Sequence, residues 1–435
     1  MDYLQALVGL LSFIGIAYLF SENKKYIPWR LVVVGVLMQI IFGILITKVE
    51  FVAHLFNLTS KTFVTFLDFS LDGAKFLFGD LALNSFNFPQ AKHSLGFIFA
   101  FQVLPTIVFF STVSSGLYYL GVLQKIVYVI AWSISKFMKL SGAESLAAAG
   151  NIFLGQTEAP LLVRPFIARM TKSELMCLMT GGMATIAGGV LAAYVSFLGG
   201  ESVEQRTLFA SYLLSASIMS APAAILMAKI IVPETEEDKI DTTLHVNKEQ
   251  LGVNLIDAMT KGTTEGVKLA VNVGGMLLAF IAVIAFLNFT LGKIGAWTSL
   301  NELVVYSTNG QFEKFSLEYV LGQVGRPVAF LMGVEWKDCL IVGSLLGQKT
   351  ALNEFIAYTE LARFKELGEL QPKSIAIATY ALCGFSNFSS IAIQVGAMGS
   401  LAPTQQGNLS KLGFKALLAS SLACLMTGCI AGALH

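Results

Sequence analysis

The chain has 435 residues, of which 55% are hydrophobic and 13% charged, with a mean hydropathy of +0.70 and a formal net charge of +1. A soluble domain carries about 25% charged residues, so a large soluble enzyme is excluded, and no basic patch supports binding to nucleic acid. Runs free of Lys, Arg, Asp and Glu apart from Lys415 in the last, most of them close to or above the roughly 20 residues that cross a bilayer as a helix, predict an all-α polytopic membrane protein.

In chain order, eight spans are predicted at 4–20, 31–47, 94–124, 175–200, 207–228, 269–292, 374–407 and 412–434. The first is read as a retained span, because no basic region precedes it and no clear cleavage site follows it. Lys24, Lys25 and Arg30 mark the first loop as cytoplasmic. Both termini are then expected outside, and the protein in the cytoplasmic (inner) membrane. Residues 49–82, 121–140 and 250–268 alternate charged and apolar positions at helical spacing, as helices lying at the membrane interface do. The runs 233–249 and 300–318 are polar connections on opposite sides. Cys177, Cys339, Cys383, Cys424 and Cys429 form no Cys-x-x-Cys pair, and the four histidines have no metal-ligand spacing.

Two segments are apolar yet too interrupted to span. The first, 145–170, is broken at 150–151 and 155–160. The second, 319–355, is broken at 325–327, 334–338 and 347–349. Apolar arms of about 10 residues reach half a bilayer, so both read as re-entrant hairpins whose irregular backbone is covered by protein or a wet cavity. Both carry Leu-Gly-Gln, at 154–156 and 346–348, followed by a glutamate, Glu158 or Glu354. Each is followed by an apolar run interrupted by small polar residues, 179–189 and 383–390. Gly181, Thr185 and Gly189 fit close helix packing or an unwound segment. Three spans between the hairpins give the copies opposite orientation, as in inverted-repeat transporters.

Carboxylates at membrane depth are costly and point to function. Asn151, Thr157 and Thr185 offer side-chain oxygens beside the carbonyls of Leu154 and Ile186, a hard-cation set suited to sodium. Gln156, Thr157 and Glu158 present donors and acceptors in a row to a neutral planar ligand. Glu354 can accept two adjacent hydroxyls, with Asn387 and Ser390 completing a sugar site and Phe385 an apolar wall. The alternative for the two acids is a structural ion pair with Arg164 or Lys349. A channel needs no paired carboxylates with amide partners from opposed repeats, and two acids with no evident substrate-facing arginine argue for a neutral ligand over an organic anion. No His-Glu-x-x-His or Gly-x-Ser-x-Gly motif supports an enzyme.

Gly155-Gln-Thr-Glu-Ala-Pro160 with Arg164-Pro165, Met179-Thr-Gly-Gly182, Gly347-Gln-Lys349 with Asn353-Glu-Phe355, and Cys383-Gly-Phe385 with Asn387 and Ser389-Ser-Ile-Ala-Ile393 together resemble the concentrative nucleoside transporter family, in its compact bacterial type. The resemblance implies a sodium-coupled nucleoside symporter, a homotrimer, an elevator-like movement and no further cofactor. Some similar bacterial members use protons; the Gln-Thr-Glu-Ala-Pro form favours sodium. By the same resemblance Gln156, Thr157 and Glu158 face the base, Glu354, Asn387 and Ser390 hold the ribose, and Val190, Leu269 and Phe385 line the pocket. Asn151, Leu154, Thr157, Thr185 and Ile186 bind sodium, with Leu154 in place of an expected valine and Thr185 in place of serine. The expected organisation is scaffold spans and an interfacial helix in 1–120, a first transport repeat in 121–232, a loop, amphipathic helix and scaffold span in 233–318, and a second transport repeat in 319–435.

Overall fold

The computed structural model describes residues 2–82, 98–200, 202–236, 238, 240–241, 243–244 and 252–435. The expected start of the third span (94–97), positions 237, 239, 242 and 245–249 of the polar run 233–249 and the first two positions of the third amphipathic helix (250–251) lie outside the described residues. Among those described there is no strand.

The chain opens with α1 (Asp2–Leu19), α2 (Trp29–Lys48), α3 (Glu50–Asp68) and α4 (Ser70–Phe78), then α5 (Phe99–Gln102) and α6 (Leu104–Tyr119). A first block follows: α7 (Val122–Met138), α8 (Gly142–Asn151), α9 (Ala159–Leu162), α10 (Arg164–Ile167), α11 (Lys172–Ala184), α12 (Gly188–Gly199) and α13 (Val203–Ile231). α14 (Leu255–Trp297) and α15 (Leu300–Ser307) lead to a second block: α16 (Leu317–Leu331), α17 (Cys339–Ala351), α18 (Glu354–Glu366), α19 (Pro372–Leu382), α20 (Phe388–Leu401) and α21 (Gln406–Leu434). The blocks share one order of parts. Each has an amphipathic helix, a helical hairpin, a helix broken at its middle and a long apolar helix. Among the described residues six helical stretches are long and apolar enough to cross a membrane; the helices of Tyr3–Leu19 and Phe388–Leu401 are apolar but shorter.

Two local expectations are corrected. In the second block, α16 runs through Gly325 and Pro327 to Leu331, and α17 runs through Gly347 to Ala351. Of the three expected breaks, the one at 334–338 is present. The hairpin is α17–α18, turning at Leu352 and Asn353, and α16 is the counterpart of α7. The glycines serve contact. A Cβ on Gly325 would stand 2.3 Å from the Gly343 carbonyl oxygen, and one on Gly343 would stand 2.7 Å from Arg326 N, so α16 and α17 cross backbone to backbone. That packing offsets the hydrogen bond that Pro327 cannot donate. The expected amphipathic helix at 250–268 and the span at 269–292 are one 43-residue helix, α14. At 1.5 Å per residue it is about 64 Å long, twice the hydrocarbon thickness. Gly262 and Gly266 do not break it because they seat it against Ser111, Ser115 and Val108 of α6.

The packing divides residues 1–120. α6 lies along α14, where the Thr112 and Thr263 hydroxyls meet at 2.9 Å. α1 and α2 instead pack on α21 and α13. Gly35 of α2 faces Leu226, Gly43 faces Leu434 and Ile430, and Gln39 Nε2 donates to the Met219 carbonyl at 3.1 Å. α11, α12 and α13 are almost wholly buried, whereas α14 exposes Leu278, Ile281, Phe286 and Phe289.

Candidate functional site

The two broken helices fix the site. α11 ends at Ala184, and Thr185 and Ala187 are extended before α12 begins. α19 ends at Leu382, and the chain turns through Cys383–Asn387 before α20. The two breaks lie against each other. Phe385 N donates to the Thr185 carbonyl at 3.4 Å and Ser386 Oγ to the Met183 carbonyl at 3.0 Å. A Cβ on Gly384 would stand 2.9 Å from the Ala184 carbonyl oxygen. The second unwound segment thus supplies donors for carbonyls that the end of α11 leaves without helical partners.

The hairpin turns arrive from either side. Asn387 caps α20: its Oδ1 accepts from Ser390 N at 2.9 Å, and its Nδ2 donates to Glu354 Oε2 at 2.9 Å. Glu354 opens α18, behind the capping side chain of Asn353. Its other oxygen accepts from the Tyr194 hydroxyl of α12 at 2.9 Å. From the first hairpin, Gln156 Nε2 donates to Ser390 Oγ at 3.1 Å. Gln156, Glu354, Asn387 and Ser390, spread over more than 230 positions, therefore form one buried chain of contacts from the first hairpin through α20 to the second.

The first turn is shaped by its own backbone. Gly155 N donates to Glu158 Oε2 at 3.2 Å, the Gly155 carbonyl accepts from Glu158 N and Ala159 N, and Gly188 N donates to the Phe153 carbonyl at 3.1 Å. Thr157 and Glu158 stand exposed at the tip beside buried Gln156. Behind it, Asn151 is buried with both amide atoms unpaired. A Cβ on Gly181 would stand 2.9 Å from Asn151 Nδ2, and Thr185 Oγ1 donates to the Gly181 carbonyl at 2.9 Å. Asn151, Leu154, Thr185 and Ile186 are all buried at this junction; Thr157 is the exposed member of the expected cation set. An oxygen of Asn151 with no protein donor fits a hard cation.

Val190 is buried on α12 and Phe385 is buried in the second break. Leu269 is half-buried on α14, which meets α18. Lys349 Nζ donates to the Ala381 carbonyl at 2.9 Å, so Glu354 is held by Tyr194 and Asn387 and Lys349 braces the broken helix. Sequence reasoning missed Tyr194, which stacks on Tyr358 at 4.2 Å, and Gln394, buried one turn beyond Ser390. A single hydroxyl or amide in an apolar run was the available signal for each.

Comparison with known proteins matches three consecutive stretches to family descriptions: "Na+ dependent nucleoside transporter N-terminus" at 8–81, "Nucleoside recognition" at 100–201 and "Na+ dependent nucleoside transporter C-terminus" at 212–432. The uncharacterized transporter YutK of Bacillus subtilis is 41% identical over 433 residues, covering 99% of both chains. This chain belongs to the Na+-dependent nucleoside transporter family. Solute carrier family 28 member 3 of Eptatretus stoutii is 40% identical over 98% of this chain, which spans 60% of that relative's length. Solved structures of the transporter CNTnw superpose over the whole chain. An inward-facing substrate-bound state gives a TM-score of 0.88 at 39% identity, covering 98% of that chain, and an intermediate state gives 0.89 at 39%, covering 99%. The protein is an integral membrane transporter of this concentrative nucleoside family.

Proposed function

We propose that this protein is a sodium-coupled symporter that imports nucleosides across the cytoplasmic membrane by elevator-like alternating access. The observation that carries the reading is the Glu354 carboxylate, held at membrane depth by Tyr194 and Asn387, where its remaining lone pairs suit paired ribose hydroxyls. Asn387 and Ser390 complete the ribose site, Gln156, Thr157 and Glu158 bind the base edge, and Val190, Leu269 and Phe385 line the pocket. Sodium, carried as a second substrate, binds Asn151, Thr157 and Thr185 with the carbonyls of Leu154 and Ile186. The orphaned Asn151 amide supports that assignment.

The hairpins α8–α10 and α17–α18 re-enter from opposite sides as inverted repeats, and both termini face outside. The two blocks, with α1 and α2 packed on them, form the moving body. α6 and α14 form the static frame, and the exposed apolar face of α14 is covered by lipid and by the neighbouring subunits of a homotrimer. CNTnw has been captured in states titled inward-facing, outward-facing and intermediate, which supports a moving-body mechanism here.

The test is uptake of labelled uridine and adenosine into proteoliposomes with sodium or proton gradients imposed separately. Saturable uptake driven by sodium alone is the expected result. Uptake driven by protons alone would reassign the coupling ion, and no nucleoside uptake would end the reading. Topology is checked by labelling. All five native cysteines are buried, so Lys136→Cys should react from the cytoplasm and Glu313→Cys from outside.

A further inference from the structure

Gln394 lies on α20, four residues beyond Ser390, fully buried, with neither its amide nitrogen nor its amide oxygen paired. A primary amide carries two donors and two acceptor lone pairs, and groups so buried are nearly always satisfied in native proteins. Its surroundings are specific. A Cβ built on Gly182 of α11 would stand 2.5 Å from Gln394 Nε2 and 3.2 Å from Gln156 Cβ. The two glutamine side chains therefore share the space above one glycine, and any other residue at 182 would fill it. Gln156 is itself half-satisfied. Its Nε2 donates to Ser390 Oγ at 3.1 Å, while its Oε1 is buried and unpaired.

We propose that Gln394 is a positioning residue that sets which edge of the Gln156 amide is offered to the nucleobase, and so helps decide which bases the carrier accepts. The inference rests on the reading of this site as a nucleoside site. The two ends of a glutamine amide are nearly equal in size, so shape alone does not choose between offering a carbonyl acceptor and an N–H donor. Ser390 is a weak selector, because a hydroxyl both donates and accepts. Gln394, directly or through one water, adds a second contact that favours one orientation. An acceptor edge suits a base that presents N–H, as uridine does at N3. A donor edge suits a base with a bare ring nitrogen, as cytidine has there. Fixing the amide before the ligand arrives also removes an ordering cost from binding.

The experiment measures nucleoside binding to the purified transporter in saturating sodium for uridine, cytidine and 2′-deoxyuridine. In Gln394→Met, which keeps the length and removes the amide, the uridine-to-cytidine affinity ratio should move by about threefold or more, the scale of one hydrogen bond. The uridine-to-deoxyuridine ratio, which reads the ribose site, should stay within about twofold. Gln394→Leu removes the amide at similar volume and should move the same ratio in the same direction, which covers failure of either variant to fold. Three affinities that fall together, or none that changes, would overturn the proposal and leave Gln394 a packing residue. A wild-type protein that binds none of the three would instead overturn the nucleoside reading itself.

Discussion

At the end of α13, Lys229 Nζ lies 2.5 Å from Glu144 Oε1 and donates to Ser173 Oγ at 3.0 Å. Around it, Thr171 N donates to Glu174 Oε2 at 2.9 Å, Ser141 N to Glu144 Oε2 at 3.2 Å and the Thr171 hydroxyl to Glu234 at 2.7 Å. Two capping boxes, Ser141 with Glu144 and Thr171 with Glu174, start α8 and α11 there. Between the two breaks, by contrast, Asn151, Gln156 and Gln394 keep buried amide atoms without partners. Both clusters lie among the same helices, α8, α11 and the elements beside them. The first spends its polar groups on itself and anchors helix starts. The second keeps groups in reserve at a cost of about 1–3 kcal/mol for each one left unsatisfied, as a site that awaits ligands does. On the function proposed above, the first cluster is structural and the second binds ligands, and mutation should separate them the same way.

The largest stability effect is expected from Lys229→Met. It leaves Glu144 as a buried charge without its cation, a loss of about 3–5 kcal/mol, read as a lowered Tm in detergent. Adding Glu144→Gln should recover part of the loss, and protein that remains folded should keep its nucleoside selectivity. Glu354→Gln should do the reverse. Charge-assisted hydrogen bonds are worth about 1.5–3 kcal/mol each, so uridine affinity should fall about tenfold or more while Tm changes little. Ribonucleosides should suffer more than 2′-deoxynucleosides. Normal uridine affinity in that variant would remove Glu354 from the site.

Asn151→Ala removes an amide that has no protein partner. Its stability in sodium-free buffer should fall by less than about 1 kcal/mol, whereas the sodium needed for half-maximal uptake should rise. A large loss of Tm without sodium would make Asn151 structural. The smallest effect belongs to a surface cluster. Glu22, in the first loop, accepts from Lys172 at 2.7 Å and is paired with Lys415. Partial burial raises its pKa, but these two lysines outweigh that and hold it below the ordinary glutamate value. A carboxylate with a depressed folded-state pKa contributes stability above its unfolded value and loses it as pH falls through the folded one. Glu22→Gln should therefore cost under about 1 kcal/mol at neutral pH, and the difference from wild type should vanish in acid.

The sequence made some of these features plain and hid others. Charge-free runs located the long helices because the bilayer demands them. Glu158, Glu354 and Asn387 were conspicuous because charge and amide are rare at depth. Gly325, Pro327 and Gly347 misled, since a glycine that ends a helix and a glycine that seats it on a neighbour look alike until the opposing group is known; here it is the Gly343 backbone for Gly325 and the Leu321 side chain for Gly347. Residues 250–292 read as two helices because their polarity changes midway, yet no breaker interrupts the hydrogen-bond ladder. Tyr194 and Gln394 were invisible for a different reason. Each is a lone polar group in an apolar run, and what it meets is distant in the chain: Tyr194 donates to Glu354, and Gln394 lies with Gln156 over Gly182.

We propose that the reserved polar groups are completed by sodium and nucleoside together, so that each ligand raises the other's affinity by the same factor. The direct measurement is nucleoside binding to purified protein across sodium concentrations, with choline holding ionic strength constant. Nucleoside affinity should rise with sodium by about 5–150-fold, the range of a coupling of roughly 1–3 kcal/mol, and Asn151→Ala should shift this dependence to higher sodium. An affinity that ignores sodium and follows pH would contradict it.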